Sequence, residues 1–358
     1  MERKIAVICD YVLLPDRVGG MDYFFWAFHK KCKANNLDVD WFFPNISEHG
    51  SYHEMTILAP ENDESLTNFV SHYFKNNNRS YSHVFTHFVE LCTSFYKELK
   101  YNSAAKIVAV DHNPRPLGGY ALSKRIKKRI KGFLYSKHID LFVGVSIYTV
   151  NEIINDFGNH LKRKTKVLYN GVIIESIQER TNRNIVRPTF IVACHLRKSK
   201  GVQDLITAVK SIQSNNIEGM VIDIYGDGPF RQELEVQVAR EQLEKIFNFK
   251  GSVSDLNERY KSYDYMILPS HMECFSLGIL ESLAANVPVI ASNVGGNEEA
   301  VQHSHNGYIF NAKAIDELAK IIEEVYQGNK QITINTRQEI ENLFSLDKMV
   351  NEYYKLLS

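Results

Sequence analysis

The chain has 358 residues, of which 44% are hydrophobic and 23% are charged, and its formal net charge at pH 7 is zero. This length exceeds what one hydrophobic core usually holds and predicts two domains, and the lack of net charge provides no global field to attract nucleic acid. The five cysteines are scattered and form no CxxC pair, which is typical of a reducing compartment. The N-terminal apolar run is too short for a signal peptide, and no run is long enough to span a membrane. We therefore expect a cytoplasmic protein, either soluble or peripheral on the inner face of a membrane.

Apolar runs alternate with helical patterns through the first half of the chain, which is typical of a parallel α/β sheet. The strand-like runs are Ile5–Cys9, Met55–Leu58, His83–Phe88, Lys106–Val110 and Asp140–Val145. The helical patterns are Asp22–Ala34, Leu66–Lys75, Val89–Leu99 and Tyr120–Ser136. A polar stretch without periodicity, from Gln178 to Arg187, is predicted to be the linker to a second domain.

Residues at two of the predicted strand ends are candidates for ligand contact. Gly19 and Gly20 close the loop after the first strand, where glycine lets the backbone approach a ligand closely, although a plain turn would also use them. No GxGxxG follows this strand, which weighs against a nicotinamide or flavin dehydrogenase. His112 follows the strand Ile107–Val110, where polar groups face the cleft of a parallel sheet, unless it only caps a backbone group. His87, also at a strand end, is a weaker candidate.

The most basic stretch of the chain runs from Ser123 to Lys137, where lysines and arginines surround apolar residues at helical spacing. The pattern is typical of a surface helix whose apolar stripe, Ile126, Ile130, Phe133 and Leu134, packs against the core. The alternative is an acceptor-side patch for an anionic lipid or lipid diphosphate, with peripheral membrane contact through residues 123–137.

The second half repeats the alternation of strands and helices. The strand-like runs are Phe190–Ala193, Val221–Tyr225, Ile246–Lys250, Tyr265–Leu268, Val287–Ala291 and Gly307–Phe310. Helical patterns begin near Lys200 and Leu277 and cover about Phe230–Ala239, Ala314–Tyr326, Thr336–Asn342 and Leu346–Leu357. A cation is disfavoured at a helix N-terminus, so Lys200 requires an anionic partner.

The stretch from Pro269 to Val301 carries the most specific pattern, because it reads as strand, polar loop, helix, strand, glycine loop and helix. Ligands of an open parallel sheet bind at the carboxyl ends of the strands, beside helix N-termini whose free amides favour an anion. Glu281 lies about one turn into the predicted helix, where its carboxylate can accept two hydrogen bonds from a vicinal diol such as a ribose. Glu273 lies in the loop before the helix, within reach of a second polar group. The spacing indicates a nucleotide sugar.

These residues resemble the donor site of the retaining glycosyltransferases of family 4, which have the GT-B fold. The resemblance rests on two glutamates with seven residues between them, Glu273 and Glu281, then on Pro288 to Ser292, and then on Gly-Gly-x-x-Glu from Gly295 to Glu299. It implies an α/β protein with two Rossmann-like domains whose parallel sheets face a central cleft. Residues 1–180, joined by a C-terminal helix at 343–358, would form the acceptor-side domain, and residues 188–342 would bind the donor.

The resemblance also implies residue roles. It places His112 close to the transferred sugar, Glu273 on the sugar hydroxyls, Glu281 on the ribose, and Lys200 on the diphosphate. In strict register the family's arginine corresponds to His195, but we assign the second cation to Arg197, because a guanidinium stays charged and grips two phosphate oxygens. The implied donor-binding set is Gly19, Gly20, His195, Gly226, Ser276, Leu277, Glu281 and Glu299. Ser276 stands where many members have glycine, and either caps the helix or touches phosphate.

The implied activity is transfer of a sugar, with retention, from a UDP- or GDP-sugar to a glycan or lipid-linked acceptor in cell-surface polysaccharide or glycolipid assembly. No cofactor or metal is expected, because the Asp38-Val39-Asp40 triplet reads as a strand entrance rather than a metal site. The alternatives are a sugar-nucleotide epimerase of the same fold, a phosphorylase, a glycosidase that uses Glu273 and Glu281 as acid and base, and a non-catalytic nucleotide-sugar-binding partner protein.

Overall fold

The computed structural model describes residues 4–15, 18–61, 63–77, 80–182, 184 and 186–358. The chain divides into two compact units. The first comprises Met1–Pro114, Gly118–Gly171 and Leu346–Ser358, and the second comprises Arg115–Leu117 and Val172–Ser345. Within the described ranges, no helix has the length and apolar character that crossing a membrane requires.

The first unit is built on a seven-stranded parallel sheet whose strand order is β3-β2-β1-β4-β5-β6-β7. The strands are β1 (Lys4–Cys9), β2 (Asp38–Phe42), β3 (Thr56–Leu58), β4 (His83–His87), β5 (Lys106–Asp111), β6 (Leu141–Gly144) and β7 (Thr165–Val167). The helices between them are α1 (Gly20–Ala34), α2 (Leu66–Asn76), α3 (Ser94–Asn102), α4 (Leu122–Tyr135) and α5 (Ile147–Phe157). The five central strands are mostly buried, as expected for a parallel sheet covered on both faces, whereas the edge strands β3 and β7 contain no buried residue. The prediction of a parallel α/β sheet is confirmed.

The last helix of the chain, α13 (Leu346–Tyr354), belongs to this first unit. Its fully buried Tyr353 packs on Phe24 of α1, with the two ring centroids 4.8 Å apart. A large aromatic pair of this kind buries apolar surface and stabilises the docking of two elements that are distant in sequence.

The predicted helix Val89–Leu99 begins five residues later than expected, at Ser94. Phe88 and Cys92 have backbone φ angles of 61° and 55°, in the left-handed region that L-residues enter only as single residues. Phe88 lies directly before the predicted helix and Cys92 lies inside it, so a regular helix cannot run from Val89 through Cys92. The helical periodicity of the apolar side chains could not reveal this interruption.

Helix α4 differs from its prediction in orientation. The apolar stripe expected to pack against the core is exposed at all four positions, Ile126, Ile130, Phe133 and Leu134. The only buried residue of this helix is Gly132, and a Cβ atom there would lie 2.1 Å from the carbonyl oxygen of Phe157. The helix therefore rests on α5 through its glycine side, and the core-packing interpretation is wrong.

The Asp38-Val39-Asp40 triplet opens β2, as the strand-entrance interpretation predicts. The buried carboxylate of Asp40 lies 2.8 Å from the ammonium of Lys4 and accepts a hydrogen bond of 2.6 Å from the hydroxyl of Tyr81. These two contacts compensate the desolvation of the charge. Asp40 thus stabilises the first unit.

The second unit has a six-stranded parallel sheet with the order β10-β9-β8-β11-β12-β13. The strands are β8 (Phe190–Ala193), β9 (Ile222–Tyr225), β10 (Phe247–Gly251), β11 (Tyr265–Leu268), β12 (Val289–Ser292) and β13 (Gly307–Phe310). The helices are α6 (Val202–Ser211), α7 (Arg231–Glu241), α8 (Leu256–Arg259), α9 (Leu277–Ala284), α10 (Asn297–Ala300), α11 (Ile315–Tyr326) and α12 (Arg337–Phe344). Both strand orders are those of doubly wound sheets, so each unit is Rossmann-like.

The predicted linker is not a free connection. The side chain of Arg180 is buried, and its guanidinium donates to the carboxylate of Asp264 and to the carbonyl of Tyr263. Its backbone amide also donates to the carbonyl of Ala285, at 2.9 Å. Because these partners all lie in the second unit, the division falls between Gly171 and Val172, earlier than the expected end at residue 180.

Candidate active site

The order of the second sheet reverses between β8 and β11, and this reversal locates the candidate site. At such a switch point the loops after two adjacent strands lead to opposite faces of the sheet and leave a crevice at their carboxyl ends. The loop after β8 leads through residues 194–201 to α6, and the loop after β11 leads through residues 269–276 to α9. Both loops carry residues that the sequence singled out.

Lys200 and Glu273 meet across this switch point. The ammonium nitrogen of Lys200 lies 2.7 Å from Oε1 of Glu273, and the buried hydroxyl of Ser270 donates to the same oxygen at 2.7 Å. Burial lowers the pKa of Lys200, but the Glu273 carboxylate outweighs it, and the pKa lies above its ordinary value. Lys200 is therefore a cation at neutral pH, and its predicted anionic partner is Glu273 in this structure.

Three glycines allow the loops to approach each other this closely. A Cβ atom at Gly201 would lie 1.8 Å from the carbonyl oxygen of Pro269, and one at Gly226 would lie 2.0 Å from that of Cys194. A Cβ atom at Gly295 would lie 2.1 Å from the carbonyl oxygen of Glu273 itself. All three have positive φ angles, of 70°, 113° and 61° respectively, which glycine adopts without strain.

Replacing Gly201 with alanine is expected to lower the free energy of unfolding on the order of 3 kcal/mol, because the added methyl group meets a backbone carbonyl as well as a left-handed backbone. Gly251→Ala is the matched control, since Gly251 has a φ of 72° but its nearest neighbour would lie 3.5 Å from the new Cβ atom. Denaturant unfolding of both variants measures the difference. Equal losses would show that the contact with Pro269 does not constrain this loop.

Glu281 lies one turn into α9, as predicted, and is partly buried. The hydroxyl of Tyr260 donates to its Oε2 at 3.2 Å. Burial raises the pKa of Glu281 from 4.5 to about 7, and the bond from Tyr260 only partly opposes this. A carboxylate held in an enclosed position with one remaining oxygen can accept further hydrogen bonds from a hydroxyl-bearing ligand.

The two candidates for a second cation, His195 and Arg197, are both exposed and lie before the short turn that carries Lys200. The positive charge of Arg197 is near enough to Lys200 to oppose slightly the raised pKa of that lysine. His195 lies on the side of Asp227, whose lowered pKa is due mainly to the Gly228 amide and only slightly to His195. This arrangement is compatible with the assignment to Arg197, which stays a prediction.

Ser276 occupies the N-cap position of α9 with an extended backbone, but its side chain makes no capping hydrogen bond. The capping interpretation is therefore wrong, and phosphate contact remains the other alternative. Leu277 is the first residue of α9, and Glu299 lies in the short helix α10, where its amide donates to the carbonyl of Gly296. Their predicted donor contacts remain predictions.

In the first unit, the sheet order reverses between β1 and β4, and two histidines lie at this end. Nδ1 of His87 and Nε2 of His112 are 3.0 Å apart, and His112 stacks on Phe88 with ring centroids 4.3 Å apart. Burial lowers the pKa of His112 to about 4 and that of His87 well below its usual value. Both imidazoles are therefore neutral at pH 7, so His112 can donate or accept a hydrogen bond but cannot act there as a fixed cation.

The loop with Gly19 and Gly20 leads into α1, at whose N-terminus the buried carboxylate of Asp22 accepts the amide of Gly19 at 2.9 Å. The hydroxyls of Tyr11 and Tyr52 donate to the same carboxylate, at 3.0 Å and 2.6 Å. A negative charge therefore already occupies this helix N-terminus. Such a site suits a ligand hydroxyl better than a diphosphate.

Comparisons with known proteins agree with this geometry. The sequence model for glycosyl transferases group 1 matches residues 174–342, which is nearly the whole second unit. An uncharacterized glycosyltransferase of Methanocaldococcus jannaschii is 28% identical over 63% of this chain and 62% of its own length. A GDP-mannose-dependent alpha-(1-6)-phosphatidylinositol monomannoside mannosyltransferase of Mycobacterium tuberculosis is 32% identical over 39% of this chain and 38% of its own.

Residues 174–342, just under half of this chain, thus resemble the glycosyl transferases group 1 family. The fold of this chain is similar over 99% of both chains to that of Anabaena Alr3699/HepE, solved in complex with UDP, with a TM-score of 0.75 at 19% identity. The resemblance read from the motifs and the α/β GT-B fold are thereby confirmed. The matches span less than two thirds of either curated relative's own length.

Sequence reasoning assigned no role to four side chains that lie at the site. Ser270 and Tyr260 contact the two predicted glutamates, and Asp204 of α6 lies 2.7 Å from Nε2 of His271. The backbone amide of His271 donates to the carbonyl of Ser199, beside Lys200. The signal available for Ser270 and His271 is their position directly after a buried strand, whereas nothing near Tyr260 in the sequence indicates its partner.

Proposed function

We propose that this protein transfers a sugar from a nucleoside diphosphate sugar to a hydroxyl group, with retention at the anomeric carbon. The observation that carries the proposal is the Lys200–Glu273 pair at the switch point of the second sheet, which the glycosyl transferases group 1 model matches, with Glu281 one turn into the adjacent helix. Lys200 provides a cation for the diphosphate, Glu273 a carboxylate for the sugar hydroxyls, and Glu281 a carboxylate for the ribose diol. These are the three polar parts of such a donor. The UDP bound to the HepE structure supports a nucleotide as ligand of this fold.

In the proposed reaction, the bond between the anomeric carbon and the diphosphate oxygen breaks while the acceptor oxygen bonds to the same face of the sugar. The diphosphate leaves with the bonding electron pair, and the proton of the acceptor hydroxyl goes to the departing phosphate oxygen or to water. Lys200 stabilises the charge that develops on the leaving group, because its raised pKa keeps it charged. Binding of the diphosphate would draw Lys200 from Glu273, which frees the carboxylate for sugar hydroxyls. We assign no enzyme nucleophile.

Two contacts weigh against the alternative of a glycosidase. Oε1 of Glu273 already accepts hydrogen bonds from Lys200 and Ser270, so this carboxylate is held as an acceptor rather than placed to protonate a leaving group. The positive charge of Lys200 would also have no role in the hydrolysis of a neutral glycoside. A sugar-nucleotide epimerase and a non-catalytic binding partner would use the same groups, so only activity separates them from a transferase.

The test of the proposal is a panel of radiolabelled UDP- and GDP-sugars, each incubated with the protein with and without glycan and lipid-linked acceptors. A transferase gives an acceptor-dependent radiolabelled product with an α-linkage from an α-linked donor. Epimerised or hydrolysed nucleotide sugar without acceptor would favour the epimerase, and a donor that raises the melting temperature without turnover would favour the binding protein.

We also propose that the reaction needs no metal ion, so activity is expected to be unchanged, within about twofold, in EDTA. The physical reason is that Lys200, Arg197 and the α9 N-terminus supply positive charge to the diphosphate. Among the described residues, no group of three histidine, cysteine, aspartate or glutamate side chains is placed to hold a metal ion. Initial rates with the donor from the panel measure this, and loss of activity that Mn²⁺ restores would contradict the proposal.

A further inference from the structure

Helix α4 exposes an apolar surface that nothing in the described structure covers. Phe133 is 81% exposed and Leu122 70% exposed, and Ile126, Ile130 and Leu134 are each about half exposed. A buried stripe would contribute to folding, whereas these five side chains contribute little to it because they stay in water. An exposed cluster of this size on a helix surface indicates a contact with another apolar body.

The five apolar residues form one continuous face. At about 100° of rotation per residue, they span an arc of roughly 120° along the helix. Gly132, the contact with α5, lies on the opposite side. The apolar face therefore points away from the first unit.

Basic residues border this face on both sides. By the same rotation, Arg125 and Arg129 lie along one edge and Lys127 and Lys131 along the other. The helix contains six basic residues and no acidic residue. Lys128 and Lys131 pair with Asp156 and Glu90 at 2.8 Å and 2.6 Å, and the described structure gives no acidic partner to Lys124, Arg125, Lys127 or Arg129.

We propose that α4 is an interfacial helix that lies flat on an anionic lipid bilayer. Its apolar face would enter the boundary between headgroups and acyl chains, while the arginines and lysines at its edges extend to lipid phosphates. A nucleic acid would match the charge but would leave the five apolar side chains without partners. The bilayer matches both features, and its attraction is local to this helix, since the whole chain has no net charge.

The test is flotation of the full-length protein with vesicles of phosphatidylcholine alone and of phosphatidylcholine with 30% phosphatidylglycerol. The wild type is expected to float with the anionic vesicles and to remain mostly unbound with the neutral ones. The double variant I126E/F133E is expected to lose at least tenfold in partitioning, because two carboxylates replace apolar surface at an anionic interface. The variant R125E/K127E is expected to lose a similar amount, about fivefold or more for each reversed charge.

Matched controls separate the face of α4 from general surface changes. V236E/L343E replaces two exposed apolar residues on α7 and α12, and K75E/K97E reverses two exposed lysines on α2 and α3. Both should float like the wild type, and circular dichroism melts verify that all variants fold. The proposal is overturned if the wild type does not float with anionic vesicles, if it binds duplex DNA or RNA instead, or if the controls lose as much binding as the α4 variants. None of these readouts depends on sugar transfer.

Discussion

Lys200→Ala is expected to lower kcat about a hundredfold, the largest loss from a single substitution outside the protein core. The diphosphate carries negative charge when it is bound and gains more as the sugar bond breaks, so a fixed cation stabilises the transition state more than the ground state. Losing one such contact costs on the order of 3 kcal/mol. Steady-state kinetics with the donor from the panel measure the loss.

Lys198→Ala is the control, because Lys198 lies in the same short turn and its side chain is exposed. It should keep kcat within about twofold, and melting curves must show that the Lys200 variant remains folded with Glu273 unpaired. If both lysine variants lose activity equally, Lys200 has no special role.

The same measurement decides between the two candidates for the second cation. Arg197→Ala should resemble Lys200→Ala, and the double variant should lose less than the sum of the two, since both residues act on one diphosphate. His195→Ala should be mild, because an exposed imidazole supplies less fixed positive charge to a diphosphate than a guanidinium does. A severe loss of kcat in the His195 variant and a mild loss in the Arg197 variant would contradict our assignment. The second cation would then be His195, the position that strict register with the family gives.

Donor affinity is expected to fall as the pH is lowered from 8 to 6, because the pKa of Glu281 is about 7. The ionised carboxylate accepts two hydrogen bonds from the ribose diol, whereas the protonated carboxyl accepts less well. Glu281→Gln should flatten this dependence, and Glu281→Ala should weaken binding more, on the order of tenfold to a hundredfold, because no acceptor remains. Titration calorimetry with the nucleotide sugar at the two pH values measures these effects.

Glu233→Gln, at an exposed position on α7, is the control and should keep the pH dependence of donor affinity seen in the wild type.

The stability of the protein gives an independent check of the raised pKa of Glu281. Because the folded state favours the protonated carboxyl, this group's contribution to the free energy of unfolding falls as the pH rises from 4.5 to about 7 and stays lower above that. Glu281→Gln should lack this decrease. Equal donor affinity in the wild type and both Glu281 variants would contradict the ribose assignment.

The elements that sequence reasoning predicted well are those in which one local signal dominates. The runs Phe190–Ala193 and Tyr265–Leu268 are strands with the predicted bounds, because buried parallel strands are continuous apolar runs. The start of α9 at Leu277 is also confirmed. The polar loop ends there, and the helical spacing of apolar residues begins. Position along a motif was therefore enough to place Glu281 one turn into its helix.

What the sequence could not predict depends on long-range packing. The pattern of α4 identifies two faces but does not say which one the rest of the unit covers, and Gly132 decided that through a contact with α5. Lys200 and Glu273 are 73 residues apart, and their pairing required the order of the strands. The role of Tyr260 has the same origin, since it meets Glu281 only after β11 and α9 have packed.

The path of the chain between the units has a consequence for synthesis. The second unit is almost one continuous segment, Val172–Ser345, whereas the first unit is completed by Leu346–Ser358. The two connecting points lie side by side, with the amide of Val172 donating to the carbonyl of Phe344 at 3.0 Å. During translation the second unit can fold while the first unit still lacks α13. Until α13 is synthesised, Phe24 of α1 lacks its packing contact with Tyr353. The unit whose synthesis begins first is thus completed only after the segment of the second unit has been synthesised.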